Sequence, residues 1–252
     1  MTVPRDGADP YSVCAVIPTF DNPKTVVAVV RATLEHLDCV IVVDDGSGPQ
    51  ARAVLEDLAG DPRVRMIRRV QNGGKGAALK TGLRQAVIFG FTHALQIDAD
   101  GQHDLASIPE FLRASRAEPQ ALVLAYPVYD ATVPRGRLWG RQITRWWVRV
   151  EVGGPKIIDP MIGCRVYPLA VAAVLRPIGD RMQVDTEFAV RLVWRGVPVI
   201  NLPVRVRYLT VEEGGVSHFR MVRDNMAISW MHSRLVTTAL VSRLLRCQGV
   251  NP

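Results

Sequence analysis

The sequence predicts an α/β fold on a mostly parallel central sheet flanked by helices, and three observations carry that expectation. Short continuous apolar runs alternate with stretches of helical periodicity, the runs end in loops rich in acids and glycines, and no tract repeats or falls into low complexity. Continuous apolar runs, as opposed to alternating ones, are what strands covered on both faces require.

Val13-Cys14-Ala15-Val16-Ile17, ended by Pro18, and Val40-Ile41-Val42-Val43, ended by Asp44-Asp45-Gly46-Ser47-Gly48, read as two such strands. Between them residues 24–37 set Val26, Val27, Val30, Leu34 and Leu37 at helical spacing, which makes a β-α-β unit. The pattern continues with a helix over about 50–59, a strand at 64–67, the loop Asn72-Gly73-Gly74-Lys75-Gly76, a helix over 77–89 and a strand at 93–97. A helix over about 107–116 and a strand at 121–125 follow, then a loop over 127–136. Further helices are expected at 137–150, 182–195 and about 218–245, with a strand over 197–208.

Residues 137–150 carry Arg137, Arg141, Arg145 and Arg149 four apart, beside Leu138, Ile143, Trp146 and Trp147. This is an amphipathic helix whose arginines have no acidic neighbours at helical spacing, so an anionic interface or lipid phosphate is favoured over a merely solvated face.

With 252 residues, 48% hydrophobic and 22% charged, the chain has material for a full core, which excludes disorder as a description of the whole. Lys and Arg outnumber Asp and Glu by 31 to 24, a surplus that suits an anionic partner. Cys14, Cys39, Cys164 and Cys247 are widely spaced, which points to reduced thiols in a cytoplasmic protein and away from zinc. No basic-then-apolar leader opens the chain and no apolar run approaches the roughly 20 residues of a membrane span, so a soluble or peripheral protein is expected.

Gly46-Ser47-Gly48-Pro49-Gln50-Ala51 fits a dinucleotide fingerprint in outline. However, Asp44 and Asp45 would face a pyrophosphate with negative charge, and Pro49 removes a donor. Gly73-Gly74-Lys75-Gly76 lacks the spacing of a phosphate loop. In Asp98-Ala99-Asp100-Gly101-Gln102-His103-Asp104, two carboxylates leave a strand end on the same side and repel unless a divalent cation sits with them. The alternative is a simple turn cap.

In order along the chain, Val16-Ile17-Pro18-Thr19-Phe20-Asp21-Asn22, Val42-Val43-Asp44-Asp45-Gly46-Ser47, Asn72-Gly73-Gly74-Lys75-Gly76-Ala77-Ala78-Leu79-Lys80-Thr81-Gly82 and Asp98-Ala99-Asp100-Gly101-Gln102-His103 together resemble the family 2 glycosyltransferases, nearest the dolichol-phosphate mannose synthase type. The resemblance implies a GT-A fold and transfer of a sugar, with inversion, from a nucleotide diphosphate sugar with Mg²⁺ or Mn²⁺ as cofactor. It implies that Pro18, Phe20 and Asp21 flank the base and ribose, that Asp44 or Asp45 bonds the nucleoside, and that Lys75 lies near the donor. Asp98 would meet the ribose or sugar, and Asp100 with Gln102 the metal, while His103 and Asp104 support the loop.

In the second half Gly163-Cys164-Arg165-Val166-Tyr167 resembles the branch's S-G-F-R-V-Y segment, which sets Arg165 on the acceptor or phosphate side. Val184-Asp185-Thr186-Glu187 resembles the segment that supplies an acceptor-side carboxylate, with Asp185 the candidate base and Glu187 second. Where the branch has Gly-Ser-Arg-Tyr, this chain reads Ala125-Tyr126-Pro127-Val128-Tyr129, and Arg135, Arg137 or Arg141 is expected to supply the missing charge. His218 stands in the place of the branch's late lysine.

The implied organisation is a flexible N-terminus (1–11), a GT-A domain (12–210; nucleotide half 12–125, acceptor half 126–210) and a C-terminal loop and amphipathic helix (211–252). The implied acceptor is lipid-linked or amphipathic, polyprenyl phosphate being one, met at the cytoplasmic membrane face, with no nucleic acid as partner. Competing expectations are a nucleotidyltransferase, a dinucleotide-binding oxidoreductase and a basic module without enzymatic activity.

Overall fold

A computed structural model of the chain describes residues 11–129, 133, 135–210, 212–213 and 220–247. The apolar runs become β1 (Val13–Thr19), β2 (Val40–Asp44), β3 (Val64–Arg68), β4 (His93–Gln96), β5 (Leu122–Tyr129), β6 (Arg165–Pro168) and β7 (Val199–Val206). They form one seven-stranded sheet in the order β3-β2-β1-β4-β6-β5-β7. β6 runs antiparallel to β4 and β5, while the other pairings are parallel. The chain steps outward from β1 to β3 and then returns to place β4 on the other side of β1. The carboxyl ends of β1 and β4 therefore flank a switch point, where open α/β sheets form a crevice.

The helices are α1 (Val26–Leu34), α2 (Pro49–Leu58), α3 (Lys75–Ile88), α4 (Ile108–Ala117), α5 (Arg135–Val152), α6 (Leu169–Ala172), α7 (Val184–Trp194) and α8 (Met221–Cys247). Alternation along the strands divides the core in two. Ala15, Ile17, Val40 and Val42 meet α1, α2 and α4, whereas Cys14, Val16, Ile41 and Val43 meet the layer of α3, α5, α6, α7 and α8. Cys14 and Cys164 are free thiols in these cores. Among the described residues, no helix is long and apolar enough to cross a membrane.

Two expectations need correction, and one strand was not foreseen. β5 runs on to Tyr129, through the stretch expected to be loop, because β7 pairs with it along its whole length. β6 covers β5 only at Val123 and Leu124, so Pro127 lies where that side of the strand is open and no ladder donor is missed. β6 itself, four residues with an arginine and a proline, carried no strand pattern of its own. Finally, the arginine stripe of α5 is not uniformly outward: Arg141 is drawn inward to Asp159 and Arg145 is half-buried, while Arg149 is exposed together with Trp139, Ile143 and Trp146.

Gly82 brings α3 against β1, and a Cβ there would collide with the Val16 side chain. Gly82→Ala is expected to cost about 1–3 kcal/mol by overpacking, despite its gain of about 1 kcal/mol in helix propensity. Gly140→Ala on α5, where a Cβ meets open space, should instead stabilise. Urea unfolding of the two variants checks both signs.

Candidate active site

The loops at the switch point are tied to each other by carboxylates. Asp44 Oδ1 accepts from the Ser47 amide at 2.8 Å and its other oxygen pairs with Arg68 at 3.1 Å. Asp45 accepts from the amides of Gly73 and Gly74, the latter at 2.7 Å, and pairs with Arg69. Asp21, at φ 50°, accepts from the Gly48 amide at 2.8 Å while its own amide donates to Ser47 Oγ. The Gly48, Gly73 and Gly74 amides just ahead of α2 and α3 are thus taken by the protein's own acids and are not free to cradle a pyrophosphate. This disposes of the dinucleotide reading. The Asp44 and Asp45 carboxylates, expected to bond the nucleoside, are both buried and engaged within the protein in this structure.

Past that frame three distant residues converge. The Lys75 ammonium, at the first turn of α3, lies 2.7 Å from Asp98 and 2.6 Å from Asp185. Burial opposes its charge, but the Asp185 and Asp98 carboxylates outweigh burial and hold its pKa above the usual lysine value. Burial likewise opposes charge on Asp98, and Lys75 overcomes it, leaving Asp98 below the usual carboxylate range. Gly163 passes so close to Asp98 that any Cβ would strike the carboxylate. Asp185 is 2% exposed, and its second oxygen accepts from Gln96 Nε2 at 2.9 Å. Gln96 in turn accepts from the Tyr167 hydroxyl at 2.8 Å.

Asp100 stands beside this cluster. Burial first, then the neighbouring Asp98 charge, pushes its pKa up, and one of its oxygens accepts from the Gln102 amide at 3.0 Å. A carboxylate so placed gains from a cation, and carboxylate and amide oxygens suit a hard divalent one. Among the described residues no three His, Cys, Asp or Glu side chains gather to hold a metal alone. Oxygens brought by a ligand, as a diphosphate brings them, would complete the shell of a cation held here. Asp104 caps the following turn through Ala106, and the Gln102 carbonyl accepts from the Arg207 amide of the segment after β7. Between this loop and the ends of β5 and β7 lies a cavity of about 370 Å³, lined by His103, Tyr129, Arg205 and Arg207 with Val128 and Leu209.

The remaining expectations fare differently. Arg165 is fully buried and its guanidinium donates to the carbonyls of Pro160, Ile162 and Asp185, so it holds backbone instead of facing an acceptor. Glu187 is buried against the amides of Ile178 and Gly179 and against Arg191, which makes it an anchor and not a base. Arg141 lies 3.6 Å from Asp159 and over the Tyr129 ring, behind the cavity wall. Arg135 and Arg137 belong to the first turn of α5, and His218 lies outside the described residues. Pro18 and Phe20 stand at the carboxyl end of β1 beside the crevice.

Sequence reasoning gave no role of their own to Gln96, Tyr167, Arg205 and Arg207, Tyr167 figuring only as the end of a resembling segment. A signal existed for each pair: an amide inside the apolar run Leu95-Gln96-Ile97, and arginines alternating with Val204 and Val206 on one strand.

A sheet of this topology with an acidic, lysine-bridged loop cluster at its switch point defines the class of GT-A nucleotide-sugar transferases. Within it, the chain belongs to glycosyl transferase family 2, matching it over residues 14–170, and is a glycosyltransferase. It is 29% identical to the polyprenol monophosphomannose synthase of Mycolicibacterium smegmatis, over 99% of each chain. It is 28% identical to the undecaprenyl-phosphate mannosyltransferase of Micrococcus luteus, over 76% of this chain and 82% of that one. These relatives place it in the dolichol-phosphate mannose synthase-like branch. The glucosyl-3-phosphoglycerate synthase of Mycobacterium tuberculosis, solved with Mn²⁺ and UDP-glucose, shares its fold with a TM-score of 0.65 at 16% identity, over 98% of this chain and 86% of that one.

Lys75→Met leaves one buried and one largely covered carboxylate without their cation and should cost about 3–5 kcal/mol at neutral pH. In the parent protein Asp98 titrates below its unfolded value of about 4, so the pair's contribution is complete above that pH and fades as pH falls through the folded pKa. In the variant burial is the largest influence left on Asp98, opposed only by the weaker pull of His103 and Arg165, so its pKa moves up and stability should increase on acidification from neutral pH. Urea midpoints measured across that range distinguish the two slopes.

Proposed function

We propose that the protein transfers a glycosyl unit from a nucleotide diphosphate sugar to polyprenyl phosphate at the cytoplasmic membrane face, inverting the anomeric carbon. The observation that carries this reading is the commitment of Asp185. With one oxygen on Gln96, the other on Lys75 and 2% exposure, it offers an incoming hydroxyl no base. A phosphate arrives already anionic and needs none. The mannosyltransferases of polyprenyl lipids among the relatives support the same acceptor class.

In this reading residues 12–125 bind the donor and 126–210 the acceptor. Pro18, Phe20 and Asp21 flank the base and ribose, and Asp98 meets the ribose or sugar. Asp100 and Gln102 would hold Mg²⁺ or Mn²⁺, which supplies positive charge for the departing diphosphate. Lys75 cancels one carboxylate charge at the crevice, so that the donor's phosphates approach without facing two bare acids. His103, Arg205 and Arg207 attract the acceptor phosphate into the cavity, while Val128 and Leu209 suit the first carbons of its chain. An acceptor oxygen attacks the anomeric carbon opposite the diphosphate; the new C–O bond forms as the old one breaks, and the nucleoside diphosphate leaves with the electron pair. The site meets its lipid from the surface through α5, whose Trp139, Ile143 and Trp146 stand exposed along one stripe beside Arg149.

Thermal shifts with GDP and UDP, with and without Mn²⁺, should reveal one nucleotide that stabilises only when metal is added. Transfer from GDP-mannose, UDP-glucose or UDP-N-acetylglucosamine to decaprenyl phosphate should then fall at least about a hundredfold in Asp100→Ala. Undiminished transfer by that variant, or release of pyrophosphate in place of nucleoside diphosphate, would overturn the mechanism. The double variant Trp139→Ala, Trp146→Ala should lose flotation with anionic liposomes while keeping its nucleotide-induced shift.

A further inference from the structure

A glutamine and a tyrosine in the middle of a sheet call for a reason. Gln96 is fully buried on β4, in register with Val16 on one side and Arg165 on the other, and Tyr167 is fully buried on the adjacent β6. Both belong to the layer packed against α3 and α7, with the Tyr167 ring 5.6 Å from that of Phe188. Leaving either polar group unpartnered there would cost about 1–3 kcal/mol, yet the two join in a single chain of bonds that ends at the active-site lysine.

The chain has only one possible polarity. A carboxylate can only accept, so Gln96 must present its amide N–H to Asp185, which turns its carbonyl to Tyr167 and obliges the phenol to donate. Burial pushes the Tyr167 pKa up, against the pull of Arg165, which keeps that proton in place. Asp185 is held on a third side, since Arg165 donates to its backbone carbonyl at 2.7 Å. Its one remaining direction points to Lys75, 2.6 Å away, and Lys75 reaches on to Asp98.

We propose that Gln96 and Tyr167 are positioning residues of the transferase site, which hold Asp185 so that it aims the Lys75 ammonium at Asp98. They touch neither donor nor acceptor and act only through Asp185. The hydroxyl of Tyr167 fixes the amide of Gln96, the amide fixes one carboxylate oxygen, and the other oxygen fixes the lysine. Freed from this hold, Asp185 turns, and Lys75 divides its time between Asp98 and solvent. The proposal rests on the transferase reading only for its kinetic consequence; the placement of Lys75 can be read without any substrate.

Tyr167→Phe removes one oxygen and keeps the ring, and Gln96→Met keeps length and volume without hydrogen bonds. Each is compared with the parent by thermal melting, to establish that it folds, and then in two assays. In the first, acetic anhydride labelling of Lys75 is followed by peptide mass spectrometry with no ligand present. Labelling should accelerate severalfold in both variants relative to an exposed lysine such as Lys24. In the second, transfer from GDP-mannose to decaprenyl phosphate should show kcat reduced about tenfold with donor KM little changed. That loss should vanish when Tyr167→Phe is made in an Asp185→Asn background, because residues acting through one another are not additive. Unchanged labelling in both folded variants, or an equal kcat loss with and without Asp185, overturns the proposal. If the parent itself transfers nothing between these substrates, the functional reading falls, and the labelling ratio still decides the relay.

Discussion

The structure depends on one ammonium group placed between two carboxylates that are nearly buried. Lys75, Asp98 and Asp185 come from the start of α3, the loop after β4 and the first turn of α7, and without the lysine the two acids would face each other with their charges uncancelled. Breaking a buried pair costs far more than the pair contributes in sum, so the contact enforces a position more than it supplies stability. That is what a site needs from it. The loops that carry the two acids can move apart only by uncovering charge.

The packing around the cluster follows from this constraint. Gly74 and Gly76 let the start of α3 lie against Asp180 and Arg181, and Gly163 clears the volume Asp98 fills. Arg165 is spent on three carbonyls near the cluster, one of them Asp185's own. Glu187, one helical half-turn further on, anchors the preceding loop through the amides of Ile178 and Gly179. Residues that look like chemistry in a motif thus divide into those that face the crevice and those that keep its walls in place. Asp44 and Asp45 are of the second kind, tying β2 to its own turn and to α3.

Much of this was legible in the residues. The parallel strands and their helices announce themselves through continuous apolar runs and helical spacing, and every expected strand is present. The elements that escaped are those whose identity comes from neighbours. β6 is strand because β4 and β5 lie on either side of it, and β5 extends through a proline because β7 runs alongside. The arginine spacing of α5 correctly marks a helix, but nothing in that spacing says that Asp159, beyond the end of the helix, will draw Arg141 inward.

By itself the sequence determined the alternating architecture, the acids at the strand ends and the family to which they belong, because those depend on local period and on residues close together in the chain. Which acids face the crevice was decided only by tertiary structure. Asp98 and Asp185 lie 87 positions apart, and no local rule separates Asp185, bound to Lys75, from Glu187, bound to backbone amides. The difference is one of direction: two positions along a helix turn a side chain to the opposite wall, and only the packed sheet says which wall is the site.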